Sequence, residues 1–147
     1  SDVCSSDLMK NIADIRSSCG DRAVLRAMHF YGDNARVEKQ AAALKAGDFE
    51  TFKKYIIESG RSSYMYNQNV YSCKKASEQP VSLALSLSEK LLDGCGAWRV
   101  HGGGFAGTIQ AFVPLNKLDE YKDLMEKVFG SGSCYILSVR PVGGVEL

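Results

Sequence analysis

The sequence predicts an α+β fold in which helices pack on a small antiparallel, ferredoxin-like sheet. Two observations carry that prediction. Apolar residues recur at helical spacing across 24–56, 81–92 and 118–129, whereas they alternate with period two across 97–100 and 108–113. The order then runs helices, strand, loop, strand, helix, strand, which is most of a split βαβ layer. A third observation marks the place of interest. His101-Gly102-Gly103-Gly104-Phe105-Ala106-Gly107 joins the first two strands and holds four glycines in six residues.

Residues 1–8 (SDVCSSDL) show neither period and resemble a translated sequencing-adapter remnant. They are expected to be a non-native or unstructured leader ahead of one domain over 9–147. Asp21, after Gly20, is placed to cap a helix with Val24, Ala27, Met28 and Tyr31 on one face. Gly32-Asp33-Asn34 is expected to interrupt or kink it before Ala35, Val37, Ala41 and Leu44 resume the pattern. Gly47 ends it, and Asp48 caps the next helix. There Phe49, Phe52 and Ile56 form the expected buried stripe, and Ser59-Gly60 the expected end.

Residues 61–76 are the least regular part. Tyr64, Tyr66 and Tyr71 read first as anchors pinning an ordered loop to the core, and only second as a ligand platform. Pro80 opens a helix that is apolar around most of its circumference, so it is buried on more than one side. Trp98 and Val100 alternate with Ala97 and Arg99 in the first strand. Ile109, Ala111 and Val113 alternate with Thr108, Gln110 and Phe112 in the second. Pro114 ends that strand. Leu118, Tyr121, Met125 and Phe129 make a helical stripe, and residues 134–139 read as a third strand.

Composition narrows the classes of function. A chain of 147 residues suffices for one domain with a real core. A net charge of +1 argues against nucleic-acid and membrane-surface partners, which call for a basic face. No apolar run approaches the roughly 20 residues of a membrane span, and there is no secretory pattern. The five cysteines are odd in number, scattered and without a CxxC pair. They give no metal site and fit a reducing compartment, so a cytoplasmic location is expected.

The glycine loop can be tested against known chemistries. Gly102, Gly104 and Gly107 satisfy GxGxxG, but the residues after Gly107 read as a strand. A dinucleotide fingerprint needs a helix N-terminus there to receive the pyrophosphate. A Walker A loop needs Gly-Lys-Ser/Thr, and no lysine follows. A plain hairpin needs fewer residues and fewer glycines.

The segment Arg99-Val100-His101-Gly102-Gly103-Gly104-Phe105-Ala106-Gly107, with the strand after it, resembles the third conserved motif of the galactokinases of the GHMP kinase superfamily. Arg26-Ala27-Met28-His29-Phe30 and Asp33-Asn34-Ala35-Arg36-Val37 resemble the helix that opens the C-terminal half of that family. Leu44-Lys45-Ala46-Gly47-Asp48-Phe49, and Ile57-Glu58-Ser59 with Ser62, resemble the next landmarks in the right order. Two positions depart from the pattern: Ala106 stands where the family commonly has glycine, and Gly60 where it commonly has histidine.

The resemblance implies the C-terminal part of an enzyme that moves the γ-phosphate of ATP, with Mg²⁺, to the anomeric hydroxyl of galactose. It implies that the catalytic aspartate and arginine, and the main phosphate loop, lie in an N-terminal half absent from this chain. No catalytic or metal-binding residue is then expected here, and the chain alone should be inactive. Gly102, Gly103, Gly104, Phe105, Ala106 and Gly107 would support the nucleotide-phosphate loop from across the cleft. Gly103→Val or Gly104→Val should then lower turnover more than thermal stability. A non-catalytic sugar-sensing homologue and a free-standing ferredoxin-like ligand-binding module are the alternatives.

Other reactive residues have ordinary explanations. His101 at a strand end reads as satisfying a backbone group, and His29 as a structural helix residue. Arg99 could reach a phosphate, but a solvated strand arginine is the default. Cys73 precedes Lys74-Lys75, which favours a thiolate, yet a surface thiol without function is the simpler reading. Asp119, Glu120, Asp123 and Glu126 form a solvated helix face.

Overall fold

The computed structural model describes residues 2–105 and 107–139. The fold is α+β. Helices α1 (Asp2–Lys10), α2 (Ile12–Cys19), α3 (Asp21–Ala46), α4 (Phe49–Ser62) and α5 (Pro80–Leu92) precede strands β1 (Ala97–Val100) and β2 (Ile109–Phe112). Helix α6 (Leu118–Phe129) follows. The strands are antiparallel, with Ala97 opposite Phe112 and Val100 opposite Ile109. No helix among the described residues is long and apolar enough to cross a membrane.

The period-two pattern decides what covers each face of the sheet. Trp98 packs with Leu92, Tyr121 and Met125, bringing α5 and α6 onto one face. Val100 packs with Val70 and Val81 on the same side. Ala97 and Arg99 point the other way, toward α4. There Phe52 meets Phe112 edge-on at 5.4 Å between ring centroids. Lys53 Nζ donates to the Cys95 carbonyl at 3.0 Å, tying α4 to the start of β1. Helix α3 then packs on α4.

The α5–α6 contact contains one buried polar pair. Ser88 Oγ lies 2.8 Å from the Ala84 carbonyl and 2.8 Å from Tyr121 Oη. The serine has a single hydrogen, and the carbonyl can only accept, so the tyrosine donates to Ser88. Burial pushes the Tyr121 phenol up from its ordinary value, and the bond to Ser88 offsets only part of that.

Several expectations change. The leader, expected without regular structure, is helical over Asp2–Lys10, and Leu8 is buried while α1 packs on α2 and α3. Tertiary burial supplies here what an eight-residue pattern lacks. Asp21 is the first residue of α3 rather than its cap; the cap position is Gly20, and Asp21 pairs with Arg16. Asp48 does cap α4, accepting from the Thr51 amide at 3.0 Å.

The interruption expected at Gly32-Asp33-Asn34 is absent, and α3 runs unbroken for 26 residues. Asp33 reads as a breaker because its carboxylate can compete for local backbone groups. That carboxylate is instead occupied by Ser59 Oγ at 2.6 Å and Arg36 Nη1 at 3.2 Å.

The buried side of α4 is Ile56, Ser59, Gly60 and Ser62, whereas Phe49 is 63% exposed. Gly60 does not end the helix. A Cβ at Gly60 would sit 2.8 Å from Arg99 Cβ and 3.1 Å from Arg99 Cα, so its bare backbone lets α4 lie against β1. A larger residue there requires a wider spacing of helix and strand. Gly60→Ala is expected to destabilise the fold by about 1–3 kcal/mol through overpacking, despite alanine's better helix propensity. Urea unfolding monitored by Trp98 fluorescence checks this.

Residues 61–76 are ordered, as expected, and contain a π-helical turn over Ser63–Asn67 and a 3₁₀ turn over Cys73–Lys75. Tyr71 packs on the Val70–Val81–Val100 cluster and so anchors the loop.

The third strand is not formed among the described residues. Cys134 packs on the core, but residues 135–139 lie in the sheet of neither β1 nor β2, with Leu137 88% and Val139 93% exposed. Alternation sets an extended backbone; it does not supply the neighbouring edge that a ladder requires.

His29 links α3 to α4. Its Nδ1 lies 3.0 Å from Ser62 Oγ, and its Nε2 lies 3.9 Å from Asp33 Oδ2. Burial holds the imidazole below its ordinary value of 6.5, and Arg36 and Arg99 act the same way. The Asp33 carboxylate raises it only in part. The folded chain therefore binds a proton less readily than the unfolded one, so stability falls as pH drops below about 6.5. The urea midpoint should be lower at pH 5.5 than at pH 7.5 (about one unit either side of that value), with a smaller difference in His29→Gln.

Candidate functional site

The glycine loop leaves β1 at Val100 and returns at Ile109. The His101 amide donates to the Thr108 carbonyl at 3.0 Å, extending the β1–β2 ladder by one pair. Inside it the Gly107 amide donates to the Gly104 carbonyl at 3.0 Å, closing a tight turn. Gly102, Gly104 and Gly107 have φ of 60°, 98° and 79°, which non-glycine residues rarely adopt. Ala106 lies outside the described residues.

The loop has a buried foot and an open top. Gly104 is buried, and a Cβ there would sit 2.5 Å from the Asn69 carbonyl oxygen. Gly102, Gly103, Phe105 and Gly107 are exposed. The Gly102 and Gly103 amides make no backbone hydrogen bond among the described residues. Asn69 is held in turn from α3: Arg22 Nη2 and Arg26 Nη2 both donate to its Oδ1, at 3.2 and 3.1 Å. Below them lie Val70, Val81 and Val100.

Sequence reasoning found the loop but missed Asn69, Arg22 and Arg26. The one available signal was Gly104 itself. A glycine under steric demand says that a backbone comes close, but not which one.

The other candidates fall on the ordinary side. His101 is exposed, with no side-chain hydrogen bond among the described residues, so it does not satisfy a backbone group as expected. Arg99 is half-buried, and its Nε donates to the Val100 carbonyl at 3.1 Å, which commits it to the strand rather than to solvent. Cys73 is an exposed free thiol. Glu126 bonds the Gly132 amide at 3.3 Å and lies 4.0 Å from Lys122. No group of three or more metal-binding side chains occurs among the described residues. A groove of about 250 Å³ runs between α4 and α5 beside Trp98 and Arg99, but no loop residue lines it.

The fold and loop thus define an α+β domain with a glycine-rich turn standing open on a β-hairpin. No family model matches the chain, and no solved structure matches it. Galactokinase from Homo sapiens is 28% identical over 122 residues, covering 83% of this chain. The chain spans 29% of the length of that relative. The similarity is of a sugar-kinase-like kind, at low identity.

Proposed function

We propose that residues 9–147 are the C-terminal, GHMP kinase-type domain of a cytoplasmic, ATP-dependent kinase that phosphorylates galactose at its anomeric hydroxyl. The observation that carries this reading is the similarity to human galactokinase along 83% of the chain. The loop is compatible with it. Phosphoryl transfer rests on positioning and charge stabilisation around the phosphates. The exposed Gly102 and Gly103 amides offer donors without side chains in the way.

In this reading Gly102, Gly103, Gly104, Phe105, Ala106 and Gly107 support the nucleotide-phosphate loop from the facing half of the protein. ATP supplies the phosphoryl group. Mg²⁺ would be held by the remainder of the enzyme together with the phosphates. The catalytic aspartate and arginine would lie there too.

The test is to express the complete reading frame and the 147-residue chain, and to measure galactose-dependent ADP release from each. Turnover by the complete protein and none by the chain alone is expected. A complete protein that binds ATP yet phosphorylates no hexose would overturn the reading, as would turnover by the short chain.

A further inference from the structure

One face of α3 repeats in alternating steps of three and four residues. Ala27, Phe30, Asn34, Val37, Ala41 and Leu44 form a single stripe along roughly 25 Å of helix. This is the spacing of a coiled-coil seam. It is not the face that holds α3 in the domain: His29 and Asp33 reach Ser62 and Ser59 of α4. On the stripe, Phe30 is 59%, Val37 57% and Leu44 47% exposed. Asn34 and Ala41 are exposed too, and Ala27 is half-buried. Single apolar residues on a surface are ordinary, but an ordered row of them on one helix marks an interaction face.

The sizes along the stripe are complementary to their own reverse. About a two-fold axis midway between Asn34 and Val37, Ala27 meets the partner's Leu44, and Phe30 meets the partner's Ala41. Asn34 meets the partner's Val37. The outer layers each set a large side chain on an alanine, as close packing requires. A parallel pairing joins like to like, so phenylalanine crowds one layer while alanines leave others empty. It also brings Asp33 beside the partner's Glu38, two carboxylates. In the antiparallel pairing Asp33 flanks the partner's Gln40 and Tyr31 flanks the partner's Glu38, so like charges stay apart. Asn34 is the one polar residue of the stripe. It lies within about one turn of the partner's Asn34 across the axis, a placement that costs stability and fixes register.

We propose that the α3 stripe from Ala27 to Leu44 docks antiparallel on the same stripe of a second copy of this chain, giving a symmetric dimer. The interface is independent of the galactose kinase reading, since it uses neither the glycine loop nor any substrate.

Sedimentation velocity of the 147-residue chain across about 1–200 µM tests this, because mass action makes the association concentration-dependent. A monomer–dimer equilibrium is expected. Val37→Glu should weaken it at least about tenfold, since each copy then places an unpaired carboxylate in the seam. Val37 is exposed in the single copy, so circular dichroism should show the fold unchanged. Leu137→Glu, at an exposed apolar residue outside α3, should dimerise as the unaltered chain does. Asn34→Leu should tighten the dimer. Oxidative cross-linking reads the orientation, with Cys4, Cys19 and Cys73 replaced by serine. A mixture of Ala27→Cys and Leu44→Cys chains should link, and neither variant should link to itself. The proposal is overturned by a chain that stays monomeric throughout, or by association that survives Val37→Glu or is lost in Leu137→Glu. Weaker association in Asn34→Leu, or Leu44→Cys linked to itself, overturns it equally.

Discussion

Gly104→Val is expected to destabilise the domain by about 2–5 kcal/mol. About 1–2 kcal/mol comes from a β-carbon in the left-handed region and about 1–3 from overpacking. The φ of 98° supplies the first, and the Asn69 carbonyl 2.5 Å from the new atom supplies the second. Against a total stability of about 5–15 kcal/mol this is a large fraction. Gly103 is different: its φ is not positive, and nothing lies within 4 Å of its would-be Cβ. Gly103→Ala should therefore change stability by no more than about 0.5 kcal/mol. The sequence treats the two glycines alike, expecting turnover to fall more than stability for both. The structure separates them, with Gly104 as a packing position and Gly103 as part of the exposed surface. Urea unfolding of the two variants, side by side, checks the contrast; equal midpoints would show that the foot of the loop bears no load.

The contrast also shows what kind of information the sequence carried. Local signals held where the cause is local. Asp48 caps α4, Gly47 ends α3 in the left-handed region, and the period-two runs became β1 and β2. Signals failed where a distant residue decides. Gly32-Asp33-Asn34 reads as a break because Ser59, the partner of Asp33 across α4, is 26 positions away. Gly60 reads as a helix end because nothing in its neighbourhood reveals that Arg99 will pack on it. Residues 134–139 read as a strand because alternation is local, whereas pairing is not. The site divides in the same way. The glycine loop was legible from composition alone. Its support from Asn69, Arg22 and Arg26 was not, because those contacts span more than 30 residues of chain.

Leu92→Ala is expected to cost about 2–5 kcal/mol, a loss comparable to that of Gly104→Val but from a different origin. Leu92 is 0% exposed and packs with Trp98, Tyr121 and Met125, where α5, β1 and α6 meet. Its side chain also lies against Gly96, whose would-be Cβ is 3.0 Å from Leu92 Cβ. Truncation leaves a cavity under the sheet, and the elements around it are tied by backbone hydrogen bonds that resist collapse. The Leu92 carbonyl itself accepts from the Cys95 and Gly96 amides, at 3.0 and 2.8 Å. The loop lies at the far end of β1 and touches none of this. In a complete enzyme Leu92→Ala should lower Tm while leaving kcat per folded molecule unchanged at a temperature where the protein remains folded. Gly104→Val should lower both, because its strain falls inside the loop. A fall in kcat for Leu92→Ala as steep as that for Gly104→Val would show that turnover follows global stability and that the loop has no separate part in it.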